Sequence, residues 1–290
     1  MKLINLTIFL IFLGISAYSF AAKTMVIKHY QNQERYKFGI RVLELALQKS
    51  GLSYRLESPV DADTTEIRGE KMVIGGQLDV QFLSTARHRE TELIPIKFPL
   101  YRGILGLRLV LVKKSNSQIL DAVTNVAHLR KYTGGHGKFW GDLPVYAAND
   151  LKVETNVIYE SLFAQLINGR FDYFHRGISE IWDEQKRYEK DLVVADKVML
   201  FYKHPVYYFV TKKKEGLARH ITKGLDMALQ DGSYEKEFRK EMDRYLTKGK
   251  VNGRNLVILK NPVVPDDAPP LDTSWWLSPS LQQQIRDAGL

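Results

Sequence analysis

The chain of 290 residues contains no cysteine, and this absence excludes several kinds of protein at once. Without cysteine there is no disulfide framework, no thiolate nucleophile and no lipid-modified amino terminus. A chain of this length buries a large hydrophobic core without such cross-links, so we expect its stability to come from packing. The length is typical of one large domain or two moderate ones.

The sequence also lacks any long run of one charge. The net charge is +9 at pH 7, but basic residues are dispersed among acidic ones, and the longest basic run is Lys212-Lys213-Lys214. A nucleic-acid groove needs a continuous basic stripe, so we expect no nucleic-acid partner. The positive balance mildly favours anionic partners.

Long apolar runs are absent except at the amino terminus. Lys2 precedes an apolar stretch at 3–15, and a segment of mostly small residues then ends near Ser19-Phe20-Ala21. This order is typical of a secretory signal peptide, which we place at 1–21 with cleavage after Ala21. A retained anchor is the alternative, but the stretch is barely long enough to span a bilayer and is interrupted by polar residues.

Strand and helix patterns alternate after this segment. Residues 25–30 read as a strand, apolar residues then recur at helical spacing from Tyr36 to Leu47, and 53–56 reads as a second strand. A helix over 66–74 and a strand over 79–83 follow. Such alternation predicts α/β lobes, each with a mainly parallel sheet and flanking helices.

A short pattern occurs twice, 93 residues apart. Gly76-Gln77-Leu78-Asp79 and Gly169-Arg170-Phe171-Asp172 each place a glycine after a predicted helix and an aspartate before a predicted strand. Glycine suits the left-handed position that ends a helix. The repetition predicts two similar lobes, although four residues can also match by chance.

Two apolar runs, 104–112 and 206–211, are each followed by lysines. We interpret them as paired strands that cross between the lobes. Lobe 1 is then 22–112 together with 206–290, and lobe 2 is the inserted segment 113–205. The alternative is two ordinary core strands of a single sheet.

The segment 251–290 differs in character, since it holds five of the ten prolines and the pair Trp275-Trp276. We expect it to wrap the surface of lobe 1 with the tryptophans as anchors. A disordered tail is the alternative.

The order of elements from 26 to 245 carries a resemblance. The strand at 79–83, the segment Ser84-Thr85-Ala86-Arg87-His88-Arg89-Glu90, Pro99-Leu100-Tyr101 and the later Asp231-Gly232-Ser233-Tyr234 resemble type II periplasmic solute-binding proteins, in particular solute-binding protein family 3. The resemblance implies a monomeric periplasmic protein of a Gram-negative cell, with two lobes that close on a two-strand hinge over a small-molecule ligand. An ABC transporter permease of the inner membrane or a sensor then reads the closed form.

The resemblance also implies a site in lobe 1. In amino-acid binders of this family a serine and a nearby arginine hold the ligand carboxylate, and the matching residues here are Ser84 and Arg89. A guanidinium meets a carboxylate through two parallel hydrogen bonds. We expect Thr85 and Tyr30 to lie in the same site. Alternatively, Arg89 pairs with a glutamate of its own short helix, Glu90 or Glu92.

From lobe 2 the resemblance implies a loop that leads into a helix, here 133–142. Its glycines would let backbone amides approach the ligand, so Gly135, His136 and Trp140 are further candidates. The segment lacks the Gly-Lys-Ser/Thr ending of a phosphate-binding loop, so we expect no nucleotide.

The sequence departs from the amino-acid binders at Arg176, which stands where they usually carry an acidic residue for the ligand ammonium. Two basic residues in one cleft attract an anion, so we expect an acidic ligand or a carboxylate without an α-amine. In the alternative, Arg176 is structural and pairs with Glu180 or Asp183.

Nothing in the sequence indicates catalysis. No Gly-x-Ser-x-Gly or His-Glu-x-x-His motif is present and the seven histidines are scattered, so we expect no enzyme activity, no metal and no cofactor. The alternative functions are a ligand-sensing or orphan partner of a membrane receptor, and a dehydratase-like enzyme that uses Glu180 and Asp142.

Overall fold

The computed structural model describes residues 24–61 and 64–290, so the predicted signal peptide lies outside the described residues. The first elements agree with the predicted alternation of strands and helices. They are β1 (Met25–Lys28), α1 (Lys37–Lys49), β2 (Tyr54–Glu57), α2 (Glu66–Gly75), β3 (Val80–Ser84), α3 (Arg87–Glu92) and β4 (Ile94–Ile96).

The middle of the chain repeats this alternation in a second unit. Its elements are β5 (Leu107–Lys113), α4 (Val126–Leu129), β6 (Thr133–Gly137), α5 (Pro144–Ala148), β7 (Lys152–Asn156), α6 (Tyr159–Ile167), β8 (Tyr173–Gly177), α7 (Ile181–Arg187), β9 (Leu192–Val194) and β10 (Val198–Phe201). The last part contains β11 (Val206–Val210), α8 (Glu215–Gln230), α9 (Ser233–Gly249), β12 (Asn255–Ile258) and α10 (Pro279–Asp287).

The strands form two groups, and the molecule is a two-lobed α/β protein. The first lobe contains the parallel pair β1-β2 and the three-stranded sheet β3-β11-β4. The second lobe contains a seven-stranded sheet in the order β12-β10-β5-β8-β6-β7, with β9 also paired to β5. The seven-stranded sheet is mixed, because β5 runs antiparallel to its neighbours, and the three-stranded sheet is antiparallel, because β11 runs against both β3 and β4.

The repeated four-residue pattern has the same conformation in both lobes. Gly76 follows α2 at φ 75° and Gly169 follows α6 at φ 72°, which is the left-handed region that glycine adopts without strain. Each glycine turns the chain from a helix into a buried strand, β3 in the first lobe and β8 in the second. The prediction of two similar units is confirmed at these positions.

The predicted pairing of the crossing strands is wrong. The run 206–211 forms β11, which lies in the first sheet against β3 and β4. The partner of β5 at the crossing is β10, through Phe201 opposite Leu107, and the Tyr202 N–H donates to the Gly106 carbonyl at 3.3 Å. The two connections between the lobes therefore lie side by side. The second connection, which leads back to the first lobe, begins about five residues before the apolar run at 206–211.

The tail joins both lobes. Its strand β12 pairs in parallel with β10 of the second sheet, whereas Trp275 contacts Tyr234 and Phe238 of α9. Trp276 is 5% exposed and its indole N–H donates to the Arg102 carbonyl at 3.1 Å. The expected docking of the tryptophans is confirmed. The residue bounds of the lobes stay a prediction. Most of β5 and all of β12 fall within the predicted lobe 1, although both strands pair in the second sheet.

Among the described residues, no helix combines the length and the apolar character that a membrane span requires.

Candidate functional site

A cleft of about 760 Å³ lies between the two lobes, and both contribute to its walls. Charged side chains dominate the lining. Five arginines and six carboxylates face it: Arg35, Arg108, Arg176, Arg187, Arg244, Glu34, Glu66, Glu180, Asp183, Glu184 and Glu241. Ser84, at the end of β3, lies in the same wall as Phe82 and Leu83. Of the predicted ligand-binding residues, Ser84 and Arg176 line this cleft.

Arg176 projects from β8 and is held by two carboxylates of the same lobe. Its Nε lies 2.8 and 2.9 Å from the two Glu184 oxygens, and its Nη2 lies 2.9 Å from Glu180. Glu184 is 4% exposed and accepts a further hydrogen bond from the Tyr159 hydroxyl at 2.6 Å. Burial alone would lower the pKa of Arg176, but the two glutamates outweigh it and raise that pKa.

This pairing matches the alternative in which Arg176 has a structural role and pairs with Glu180 or Asp183, except for the second partner. Glu180 is a partner as expected, but the second is Glu184, one residue beyond Asp183. The Arg176 guanidinium also lies over the Trp140 ring, 4.7 Å from its centroid. Trp140 therefore packs against the Arg176 guanidinium, and it is not one of the residues that line the cleft.

Arg89 lies on α3 and its guanidinium is taken up by Glu70 of α2. Arg89 Nε donates to Glu70 Oε1 at 2.8 Å and Nη2 donates to Oε2 at 3.1 Å, while Nη1 donates to the Ser84 carbonyl at 2.8 Å. The partner is neither Glu90 nor Glu92. Because Glu70 lies 19 residues before Arg89, the spacing of residues along one helix could not predict this pair. The Arg89 donors thus face protein atoms, and its ligand contact stays a prediction.

The other predicted residues of the first lobe are buried. The Thr85 hydroxyl donates to Glu90 Oε1 at 2.5 Å, and Thr85 is 2% exposed. Tyr30 is also 2% exposed and packs with Val73, Leu78 and other apolar residues beside the cleft. Burial and nearby Glu66 raise the pKa of Tyr30 far above its ordinary value, so its hydroxyl stays protonated.

The glycine-rich segment of the second lobe is a strand and not a loop. Residues 133–137 form β6, which lies between β7 and β8, so the backbone groups of Gly135 bond within the sheet. The expectation of free backbone amides at Gly135 is therefore wrong. The physical reason is that β6 pairs in parallel with both β7 and β8, so its main-chain donors are used in hydrogen bonds between strands. His136 is fully buried in the same strand.

His136 is part of a buried cluster behind the cleft. His136 Nε2 lies 3.2 Å from Asp142 Oδ1, and His175 Nε2 lies 4.0 Å from Asp142 Oδ2. Arg108 Nη2 lies 3.0 Å from Oδ2, and the Tyr202 hydroxyl donates to the same oxygen at 2.5 Å. Burial alone would raise the pKa of Asp142, but Arg108 and the histidines outweigh it and hold that pKa well below its usual range.

The histidine of the neighbouring strand, His175, lies where its charged form is disfavoured. Burial, together with the nearby His136, lowers the pKa of His175 well below its ordinary value. His175 lies next to His136 because β8 and β6 are adjacent, with ring centroids 5.3 Å apart. Sequence reasoning missed this cluster. The sequence carried no signal for it, because the segment 133–142 reads as a loop and not as a strand beside the one that carries His175.

Four of the five cleft arginines escaped the sequence analysis, and two of them are of special interest because no carboxylate of the described residues pairs with them. Arg35 of the first lobe and Arg187 of the second are exposed, line the cleft, and have no carboxylate partner among the residues that the structure describes. Arg35 lies over the Tyr36 ring at 4.7 Å. Neither position belongs to a motif, so only the tertiary structure identifies them.

A second groove, of about 740 Å³, lies on the outer surface between β4 and α8. Its walls are mostly apolar, and no residue is shared with the lining of the cleft. We take the cleft as the candidate site because two lobes and several charged groups converge there.

No protein-family model and no curated protein matches the sequence. Solved structures are similar in fold. One is a periplasmic binding protein of Salmonella typhimurium described by its high arginine specificity, 14% identical over 76% of this chain and 99% of that chain, with a TM-score of 0.50. Another is a double mutant of the VFT2 domain of Bordetella pertussis BvgS, 15% identical over 74% and 91% of the two chains, also at 0.50. The chain has the two-lobed α/β fold of type II periplasmic solute-binding proteins.

Proposed function

We propose that the protein is a periplasmic solute-binding protein that captures a small polar, carboxylate-bearing solute between its lobes. It presents this solute to an ABC transporter of the inner membrane and catalyses no reaction. The observation that supports the proposal is the pair Arg35 and Arg187. They enter one cleft from opposite lobes, and neither has an ion-pair partner in the described chain.

The physical argument rests on the available guanidinium groups. Arg89, Arg108 and Arg176 already bond to Glu70, Asp142 and Glu184. A solute that bridges Arg35 and Arg187 would instead form new charge-assisted hydrogen bonds to both lobes, and it would favour the closed form because only closure brings both groups to it. Ser84 adds a hydroxyl group in the same wall.

The experiment is a thermal-shift panel of mono- and dicarboxylates, amino acids and sugars with the purified mature chain, followed by calorimetry on the compounds that bind. A true ligand stabilises the protein by about 2.7 kcal/mol at a hundredfold excess over its dissociation constant. We expect carboxylates to be the stabilising class.

Variants test the two arginines directly. Arg35→Gln and Arg187→Gln should each weaken carboxylate binding by about tenfold or more, the scale of one hydrogen bond to a charged group. Arg170→Gln is the matched control, because Arg170 is exposed but lies outside the cleft. Binding that survives both substitutions, or a panel in which only sugars bind, would overturn the proposed site.

Transport is tested in cells. Uptake of the labelled ligand should fall when the gene is deleted and return when the wild-type chain, but not the Arg35→Gln/Arg187→Gln variant, is restored. Mass spectrometry of the ligand after incubation with the protein tests the dehydratase-like alternative, since turnover would contradict a role in binding alone.

A second candidate function is a ligand-sensing or orphan partner of a membrane receptor. It is favoured by the internal pairing of Arg89 with Glu70 and of Arg176 with Glu184, because these pairs fill donors that a ligand would otherwise take. If no compound of the panel stabilises the chain and crosslinking in cells captures a receptor, this candidate replaces transport.

A further inference from the structure

The second lobe contains three buried groups whose lone pairs converge on one point. They are His136 on β6, His175 on β8 and Asp142 in the segment before α5. One ligand atom from each of these side chains can be chosen so that all three lie within 4.8 Å of one another. The histidine side chains are 0% and 3% exposed, and that of Asp142 is 11% exposed. The cluster lies behind the cleft and none of its three residues belongs to the cleft lining.

The hydrogen bonds of the outer ring nitrogens fix which nitrogen of each histidine carries its proton. His136 Nδ1 lies 2.9 Å from the Gly137 carbonyl, so Nδ1 carries the hydrogen and donates it. The Tyr146 hydroxyl lies 3.3 Å from the Gly135 carbonyl and 3.0 Å from His175 Nδ1, and when it donates to the carbonyl its oxygen accepts from Nδ1. With the hydrogen on Nδ1 in each ring, both Nε2 atoms carry lone pairs.

Within the described residues neither Nε2 atom makes a hydrogen bond of good geometry, and both atoms are buried. They face the Asp142 carboxylate, which is itself an acceptor, at 3.2 and 4.0 Å. Three acceptors that face one another in a buried site repel unless a cation lies between them. A proton on one imidazole or a metal ion would supply that cation.

We propose that His136 Nε2, His175 Nε2 and the Asp142 carboxylate bind a divalent transition-metal ion, with Zn²⁺ as the reference. Two imidazoles and one carboxylate are a donor set that suits zinc and its neighbours rather than magnesium or calcium, which prefer all-oxygen ligands. The Gly137 carbonyl and the Tyr146 hydroxyl contact the Nδ1 atoms of the two rings and so orient their Nε2 atoms toward the ion.

The distances fit an ion after a small contraction. Bonds of about 2.1 Å at tetrahedral angles put donor atoms roughly 3.4 Å apart. The 3.2 Å between His136 Nε2 and Asp142 Oδ1 already meets this value, whereas His175 Nε2 lies 4.0 Å from the other carboxylate oxygen, Oδ2, and the three chosen ligand atoms lie within 4.8 Å of one another. A rotation of the His175 or Asp142 side chain closes the difference.

The neighbouring charges tolerate the ion. Arg108 takes Asp142 Oδ2, which leaves Oδ1 for the metal. The charges in direct contact at the cluster are those of Arg108 and Asp142, and they offset each other. A bound ion would fasten β6, β8 and the loop before α5 to one another behind the floor of the cleft.

The experiment uses the mature chain without a histidine tag. After chelator treatment, zinc is added back and its stoichiometry and affinity are measured with a competing metal indicator. We expect one equivalent per chain and a higher melting temperature. His175→Gln and Asp142→Asn should each raise the zinc dissociation constant by at least about tenfold. His128→Gln, outside the cluster, should leave it unchanged.

Because buried variants can unfold, X-ray absorption of the zinc-loaded wild-type chain gives a second readout. Two imidazole ligands and an oxygen environment are expected. Absence of one-equivalent binding, absence of imidazole scattering, or binding that both variants retain would overturn the proposal and leave a protonated His136–Asp142 pair as the explanation of the cluster.

Discussion

Asp79 and Asp172 make the same hydrogen bonds in the two lobes. Asp79 Oδ2 accepts from the Lys28 N–H at 2.8 Å, and Asp172 Oδ2 accepts from the Thr133 N–H at 2.8 Å. The backbone N–H of Asp79 also donates to the Lys28 carbonyl, and that of Asp172 donates to the Thr133 carbonyl, at 2.8 Å in both lobes. Each aspartate therefore ties the start of its strand to a neighbouring strand, which explains why the four-residue pattern occurs twice.

We expect Asp79→Ala and Asp172→Ala each to lower the free energy of unfolding, by about 1–3 kcal/mol, because a backbone donor loses its partner. The loss should be larger for Asp79, which is 6% exposed and also pairs with Lys214 at 2.9 Å. Urea denaturation measures both. The asparagine variants keep an acceptor oxygen and should recover part of the loss. Equal stability of Asp79→Ala and the wild type would contradict this account.

Gly106 permits the close approach of the two connections between the lobes. A β-carbon at this position would lie 2.0 Å from the Tyr202 carbonyl oxygen, so one connection must move to accept it. We expect Gly106→Ala to destabilise the protein by about 1–3 kcal/mol. Gly141→Ala is the matched control, since among the described residues, its two chain neighbours aside, no atom lies within 4 Å of the added β-carbon, and only a few tenths of a kcal/mol are expected. Thermal unfolding of both variants is the measurement.

The Arg176–Glu184 pair is suited to a double-mutant cycle. Arg176→Met leaves Glu184 buried without its cation, which should cost about 3–5 kcal/mol. Glu184→Gln leaves Arg176 with Glu180 alone and should cost less. The double variant should be more stable than the sum of the single changes implies, and additive losses in chemical denaturation would show that the two side chains are not coupled.

Stability should fall in mild acid because of His204. Burial lowers the pKa of this imidazole from 6.5 to about 4, with the Arg108 charge as a further cause. Below pH 6.5 the unfolded chain takes up a proton that the folded chain refuses until about pH 4, so stability is lost as the pH falls through this interval. The contribution is up to about 1.4 kcal/mol per pH unit.

His204→Gln should remove that one-proton slope from a plot of unfolding free energy against pH. Replacement of His88, whose side chain is 60% exposed, is the control. An unchanged slope in the His204 variant would show that the imidazole titrates alike in the folded and unfolded chains.

Local patterns in the sequence were sufficient for much of the fold. The apolar spacing that ends at Leu47 marks α1, Gly76 and Gly169 mark the ends of α2 and α6, and the paired tryptophans mark a docked tail. Each of these depends on a residue's own backbone preference or on burial of one face, and both can be read from neighbours in sequence.

The partners of the charged residues were decided by the tertiary structure. Glu70 lies on another helix than Arg89, and Arg35 and Arg187 come from different lobes. Sequence spacing favours partners three or four residues away, whereas a buried guanidinium takes whichever carboxylate the packing brings to it.

The sequence by itself determined the order of strands and helices, the two equivalent units and the absence of any disulfide. Only the tertiary structure decided that β10 rather than β11 pairs with β5, that Arg89 and Arg176 face protein carboxylates, and that His136 meets His175. The physical reason is that backbone preferences act between neighbours, whereas strand register and ion pairing depend on groups that become adjacent only when the whole chain has packed.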